Sequence, residues 1–190
     1  RMSAAAENTV IFGLSNVHYA IINDESGTYG TPKKLPGAVS LSISREGSVD
    51  TFWADNSGYA SFDASNAGYS GTLTIAHMPK DALVEILGYK ETNGVTWEDA
   101  NAPTKRFALL YEVSSNTKPE RFAFYECTLS RPESDANTRT DSTTPDTQAL
   151  SITMAAHHFD DSTLTAKGFS VKGDASYDKW FTAVQKPVAA

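Results

Sequence analysis

The sequence predicts a mainly β protein with two docked helices, and three observations carry that expectation. Alternating apolar and polar residues recur in short segments bounded by Gly, Pro, Asn or Asp, as in strands with one buried face. Two further segments are apolar on both faces, as in strands covered from both sides. Two stretches carry apolar residues at helical spacing between a starting and a stopping signal.

Taken in order, Val17 to Ile22 reads as the first strand, and Val39, Leu41 and Ile43 alternate with Ser40, Ser42 and Ser44 in the next. Val49 to Trp53 reads as a further strand, and Leu73 and Ile75 alternate with Thr72 and Thr74. Pro79 suits a first helical turn, Leu83, Ile86 and Leu87 share one side, and Gly88 supplies a stop, which predicts a helix over about 79–88. Phe107 to Val113 and Phe122 to Leu129 are the doubly apolar strands, and Asn116, Thr117, Lys118 and Pro119 join them as a hairpin. Leu150, Ile152 and Met154 alternate with Ser151 and Thr153, and Phe169 to Val171 makes a short late strand. Tyr177, Trp180, Phe181 and Val184 fall at i, i+3, i+4 and i+7, with Asp174 as cap and Pro187 as terminator, which predicts a second helix over about 174–185. The plain reading of that stripe is core packing.

Two stretches differ from the rest. Residues 45–71 read as a long loop that carries Trp53, Tyr59, Phe62 and Tyr69 among the glycines Gly47, Gly58, Gly68 and Gly71. Large aromatics are costly to leave in water, so this composition points either to a partner surface or to a β-hairpin arm folded back on its own core. Residues 131–148 are almost wholly polar and read as a loop or insertion.

The 190 residues suit one domain over 1–190, and 40% hydrophobic with 21% charged residues is the composition of a folding chain. A net charge of −7 without a visible basic patch argues against tight binding of nucleic-acid phosphates. Cys127, the single cysteine, forms no internal disulfide, and its apolar neighbours predict a buried thiol. The chain has no apolar run of membrane-spanning length and no secretory apolar core, so a soluble, unexported protein is expected. Arg1 precedes Met2, which places the expected native start at Met2.

The search for chemistry ends without a catalytic, cofactor or metal site. His157, His158, Asp160 and Asp161 are ligand types, but adjacent strand residues point to opposite faces, so a solvated strand end is the expectation. His77 shares the parity of Leu73 and Ile75 and is expected at the core edge. Asp55, Asn56, Ser57 and Gly58 lack the distal Glu of a calcium loop and read as a turn. No nucleophile elbow, zinc-binding His-Glu-x-x-His, phosphate loop or Cys-x-x-Cys pair occurs.

Several segments in order carry a resemblance. They are Gly13-Leu14-Ser15-Asn16-Val17-His18-Tyr19-Ala20, Tyr29-Gly30-Thr31-Pro32-Lys33-Lys34-Leu35, Gly37-Ala38-Val39 and Phe52-Trp53-Ala54-Asp55-Asn56. Glu85-Ile86-Leu87-Gly88 and Trp180-Phe181-Thr182-Ala183-Val184 complete the series. Through them the chain resembles the major tail proteins of siphophages that infect Gram-positive bacteria. The resemblance implies a β-sandwich or barrel-like fold, hexameric rings stacked into a tube, and a non-enzymatic virion protein assembled in the host cytoplasm. It also implies tape-measure, tail-terminator and tail-tip partners, with phage DNA passing through the lumen without sequence-specific binding. Cys127 and the 131–148 loop match nothing in that pattern.

On this basis residues 45–71 are expected to form the ring-stacking arm, with Trp53, Tyr59, Phe62 and Tyr69 as aromatic anchors. The acidic balance fits an inner wall that repels phosphates, or simply solubility. The competing functional class is a β-sandwich adhesion or carbohydrate-binding module, in which the same aromatics would stack on sugars.

Overall fold

Fourteen strands and one short helix make up the described part of the computed structural model, which covers residues 11–46, 49–54, 57–63, 68–132, 146–160 and 163–187. Side chains at 11–12, 49–54 and 57–63 are outside the description. The order is β1 (Ile11–Ile21), β2 (Lys33–Lys34), β3 (Ala38–Arg45), β4 (Val49–Ala54), β5 (Ser57–Asp63), β6 (Tyr69–Ile75) and α1 (Lys80–Leu87). Then come β7 (Lys90–Thr92), β8 (Val95–Trp97), β9 (Phe107–Ser115), β10 (Glu120–Leu129), β11 (Gln148–Ala155), β12 (His157–His158), β13 (Leu164–Thr165) and β14 (Lys167–Val171). The mainly β expectation holds.

The main sheet is antiparallel, in the order β2-β1-β9-β10-β11-β6-β3, with β14 joined to β10. β10 is the branch. One edge pairs with β9 from Glu120 to Cys127; on the other edge Glu120 to Phe124 pair with β14, and Glu126 to Leu129 pair with β11. The β9 register shifts between Phe124 and Cys127. An extra residue there keeps both side chains on the same buried face, which strict alternation would forbid.

That face holds the larger core, where Tyr19, Leu73, Ile75, Phe107, Leu109, Phe124, Cys127, Leu150 and Ile152 pack with Ile86 and Leu87 of α1. The opposite face of β1, β9 and β10 presents Ala20, Ala108, Leu110, Ala123 and Tyr125, covered by Trp180 and Val184. Both faces of the central strands are therefore buried, which explains their doubly apolar sequence. β3 curls back until its Cα atoms lie within 8 Å of those of β1, giving the sheet its barrel-like bend.

Helix α1 begins after Pro79 and ends at Gly88, whose φ of 72° is left-handed. The Gly88 amide donates to the Leu83 carbonyl, closing the last turn as the sequence anticipates.

The expected helix at 174–185 is not formed. The segment is a run of turns in which Tyr177, Trp180 and Thr182 amides donate to carbonyls three residues back. Side-chain bonds from the sheet compete with helical pairing: Arg121 Nη1 donates to the Tyr177 carbonyl, and Trp180 Nε1 donates to the Phe122 carbonyl at 3.2 Å. Asp174 accepts from the Val171 amide instead of capping forward. The apolar spacing was a true core signal, since Tyr177, Trp180 and Val184 are buried, but turns satisfy it as well as a helix does.

The 45–71 span is not a plain loop. Arg45 and Tyr69 to Gly71 belong to the main sheet, and β4 and β5 pair as a separate two-stranded hairpin. Residues 133–145, the centre of the polar 131–148 stretch, lie outside the described residues. A second hairpin, β7–β8, was legible in Asn93-Gly94 but not read; both residues have positive φ, 54° and 76°, as a tight hairpin turn requires.

Candidate assembly surface

The four expected anchors fall into two groups. Residues 53, 59 and 62 lie on the β4–β5 hairpin, where Trp53 opposes Gly58 and Asp50 opposes Phe62 in register. Their side chains lie outside the described residues. Tyr69 sits at the hairpin root, opposite Arg45 and Met154, and its ring meets Phe124 edge-on at 5.3 Å. Tyr69 is thus packed against the chain's own core and is not a free aromatic.

The root is tightly built. A Cβ on Gly71 would lie 2.1 Å from the Ser42 carbonyl oxygen, and one on Gly68 would lie 2.5 Å from the Met154 carbonyl oxygen. Only glycine lets β3, β6 and β11 approach this closely where the hairpin leaves the sheet.

Exposed aromatics stand elsewhere, where the sequence reading did not look. Trp97 on β8 is 58% exposed and Phe169 on β14 is 62% exposed. Phe169 reverses the usual alternation, because the adjacent Ser170 is buried and shares a hydrogen bond with the Ser176 hydroxyl at 3.0 Å. The sequence gives no signal of this, because the alternation Phe169-Ser170-Val171 reads as Phe169 in and Ser170 out. Phe169 stacks on its cross-strand neighbour Phe122 at 5.9 Å, and Phe122 stacks on Tyr111 at 5.4 Å, so a row of rings crosses β14, β10 and β9.

Two polar networks fix the sheet around these surfaces. Arg106 donates to Asp24 at 2.7 Å and to Glu126 at 2.9 Å, and the other Glu126 oxygen shares a hydrogen bond with His157 Nδ1 at 2.8 Å. Burial by itself would raise the Glu126 carboxyl, but hydrogen bonds from His157 and Arg106 outweigh it and hold the carboxyl below the usual range. His157 is buried against Tyr29 and Phe159, not a solvated strand end, whereas His158 is exposed. Their opposite placement follows the strand geometry, and tertiary packing chose which of the two to cover. His77 is also corrected: it is exposed, and the neighbouring Met78 takes the buried position.

In the second network Arg121 donates to Glu112 at 2.6 Å, and the Tyr177 hydroxyl donates to the same carboxylate oxygen at 3.1 Å. His18 and Arg121 both lie against the Phe181 ring. Among the described residues no group of three His, Cys, Asp or Glu side chains is placed to hold a metal ion. The Cys127 thiol is buried, and desolvation pushes it far up from its ordinary value, so it is no nucleophile.

A groove of about 560 Å³ is an open surface feature lined by residues including Asp24, Glu25, Tyr29 and Lys105. What the geometry offers is strand edges, a self-paired hairpin and exposed rings, the materials of association between chains. A family model described as "Phage tail tube protein" matches residues 24–182. No curated protein gives a significant match.

Proposed function

Because the chain belongs to the phage tail tube protein family, whose members are structural components of the virion tail, we propose that it is the major tail tube subunit of a long, flexible-tailed phage. In this reading, hexameric rings of the chain stack into a hollow tube that conducts DNA during ejection. The observation that carries it is the family match, which runs from before β2 through the Arg121-bound C-terminal turns and so includes nearly the whole sheet.

Cyclic closure makes a ring finite, whereas head-to-tail stacking makes a filament whose length another protein must set. A tape-measure protein supplies that length, and terminator and tail-tip proteins end the tube. The β4–β5 hairpin is the ring-stacking arm, bearing Trp53, Tyr59 and Phe62, with Tyr69 fixing its root to the core. Net charge −7 fits an inner wall that repels DNA phosphates and lets the duplex slide.

Electron microscopy of the purified protein tests this directly, with rings or tubes expected. Trp53→Ala combined with Tyr59→Ala should leave a folded protein that no longer stacks. Normal tubes from that variant would remove the arm assignment, and persistent monomers of the unmodified chain would remove the tube reading.

A further inference from the structure

We propose that the outward face of β3, β6 and β11 is the wall past which DNA slides, and that its contact layer is neutral hydroxyl, not carboxylate. The inference rests on the tube reading and says which surface of the subunit does the conducting.

Register defines the face. Ser44, Ser70 and Thr153 stand side by side across β3, β6 and β11, and Thr128 of β10 extends that row. Two residues along, Ser42, Thr72 and Ser151 make the next row, and Ser40, Thr74 and Ala149 make the third. Ser70 and Thr74 are half-buried and the other eight residues are exposed. The intervening residues, such as Leu41, Leu73 and Leu150, turn the other way into the larger core. Rows therefore recur about every 7 Å along a strand, with neighbours about 4.8 Å apart across strands.

No Lys, Arg, Asp or Glu occupies any of these ten positions, where ordinary surface composition would place about three. No aromatic or large aliphatic residue occupies them either. The same face continues on β10, β9 and β1 with the opposite character: there Tyr125, Ala123, Leu110 and Ala20 lie under Trp180 and Val184. The C-terminal turns cover the apolar half of the face and leave the hydroxyl half to water.

That composition selects the occupant by what it cannot hold. Tight protein contacts centre on Trp, Tyr or Arg, sugars stack on aromatic rings, and phosphates are held by Lys and Arg; the face carries none of these residues. A hydroxyl trades water for a phosphate oxygen at little net gain, whereas Lys or Arg adds a charge-assisted bond about twice as strong. A duplex moving over such rows meets no site at which to stop. The net charge of −7 acts from the body of the subunit and keeps phosphates from settling.

The arm supplies the direction. β4 and β5 are inserted between β3 and β6, beyond the Arg45–Tyr69 pair at which β3 ends and β6 begins. With β4–β5 as the stacking arm, β3 and β6 lead toward the next ring, so the hydroxyl rows succeed one another along the path of the DNA.

The test uses tubes of the full chain. Ser42→Cys and Ser151→Cys are small surface changes, and buried Cys127 does not compete. In each, a small maleimide should label the assembled tube throughout, whereas a maleimide carried on a protein too large for the channel should label free subunits but only the ends of tubes. Tubes of the Ser42→Lys, Ser151→Lys double variant should hold a short fluorescent DNA duplex about tenfold more tightly than unmodified tubes at low salt, and release it as salt rises. The held duplex should be shielded from nuclease, and Ser42→Ala, Ser151→Ala tubes should hold no more than unmodified ones. Labelling of whole tubes by the bulky reagent puts the face outside, and no labelling by the small reagent puts it between subunits; either overturns the inference and leaves the tube reading standing. So does a lysine tube that holds no extra DNA, or holds it open to nuclease. If the lysines prevent assembly, the cysteine labelling decides alone. Failure of the unmodified protein to form rings or tubes at any concentration overturns both.

Discussion

The Arg121 guanidinium lies 3.8 Å from the centre of the Tyr177 ring, so one side chain of the central strand clamps the C-terminal turns to the sheet. The same guanidinium bonds the cross-strand Glu112 carboxylate and the Tyr177 carbonyl. Arg121→Ala leaves Glu112 mostly buried without its cation and should cost about 3 kcal/mol. The measurement is urea unfolding. Arg121→Lys should recover only part of the loss, because an ammonium cannot stack and fork as a guanidinium does.

The close approach at Gly71 gives a second expectation. A methyl group there meets the Ser42 carbonyl oxygen and also the Ile43 Cα at 3.2 Å, both backbone atoms of β3. Gly71→Ala should therefore destabilise by about 1–3 kcal/mol, seen as a lower melting temperature. Gly94→Ala has open space around the new carbon and bears only the strain of φ 76°, which costs about 1 kcal/mol. A Gly71→Ala protein as stable as the unmodified one would show that β3 can move away from β6 freely.

Acid should loosen the β10 branch. Glu126 has a folded-state carboxyl held below its ordinary value, so the fold binds the ionised form. Its contribution is complete above the unfolded carboxylate value of about 4.3 and is lost as pH falls through the lowered folded value. Between pH 6 and pH 3 the unmodified protein should lose more stability than Glu126→Gln, in which that titration is absent. Equal slopes in urea titrations at several pH values would place the acid sensitivity elsewhere.

Cys127 should be silent in the native protein. Its sulfur is buried on the larger core, its thiol donates weakly to the Phe124 carbonyl at 3.7 Å, and desolvation disfavours the thiolate. At pH 8 a thiol reagent should label it only after denaturant is added, with the labelling midpoint following the unfolding midpoint. Rapid labelling of the native chain would mean that β10 opens at its bulge.

Much of the fold was legible because strand alternation is a local property. Leu41 and Ile43, Leu73 to Ile75 and Leu150 to Met154 announce which face is buried without reference to any partner, whereas Val39, expected on the same face as Leu41, is exposed where the register shifts between Ala38 and Ser40. The capped helix at 80–87 was equally local, since Pro79 and Gly88 mark its ends by their own backbone preferences. Two-residue strands such as β2, β12 and β13 are too short to carry a period, and so escaped notice. Among candidate contact residues, Trp53, Tyr59 and Phe62 drew attention by composition, whereas Trp97 and Phe169 needed the structure to show that they stay uncovered.

The sequence by itself determined the mainly β class, the faces of the long strands, the first helix and the absence of recognised catalytic motifs, because each rests on residue type and short-range spacing. Only the tertiary structure decided that β10 has two successive partners on one edge, that His157 is covered while His158 is not, and that the last segment is turns. The reason is physical. Spacings of i, i+3 and i+4 specify a buried side but not the backbone that presents it, and Arg121 and Trp180 settle that choice through groups more than fifty residues apart in the chain.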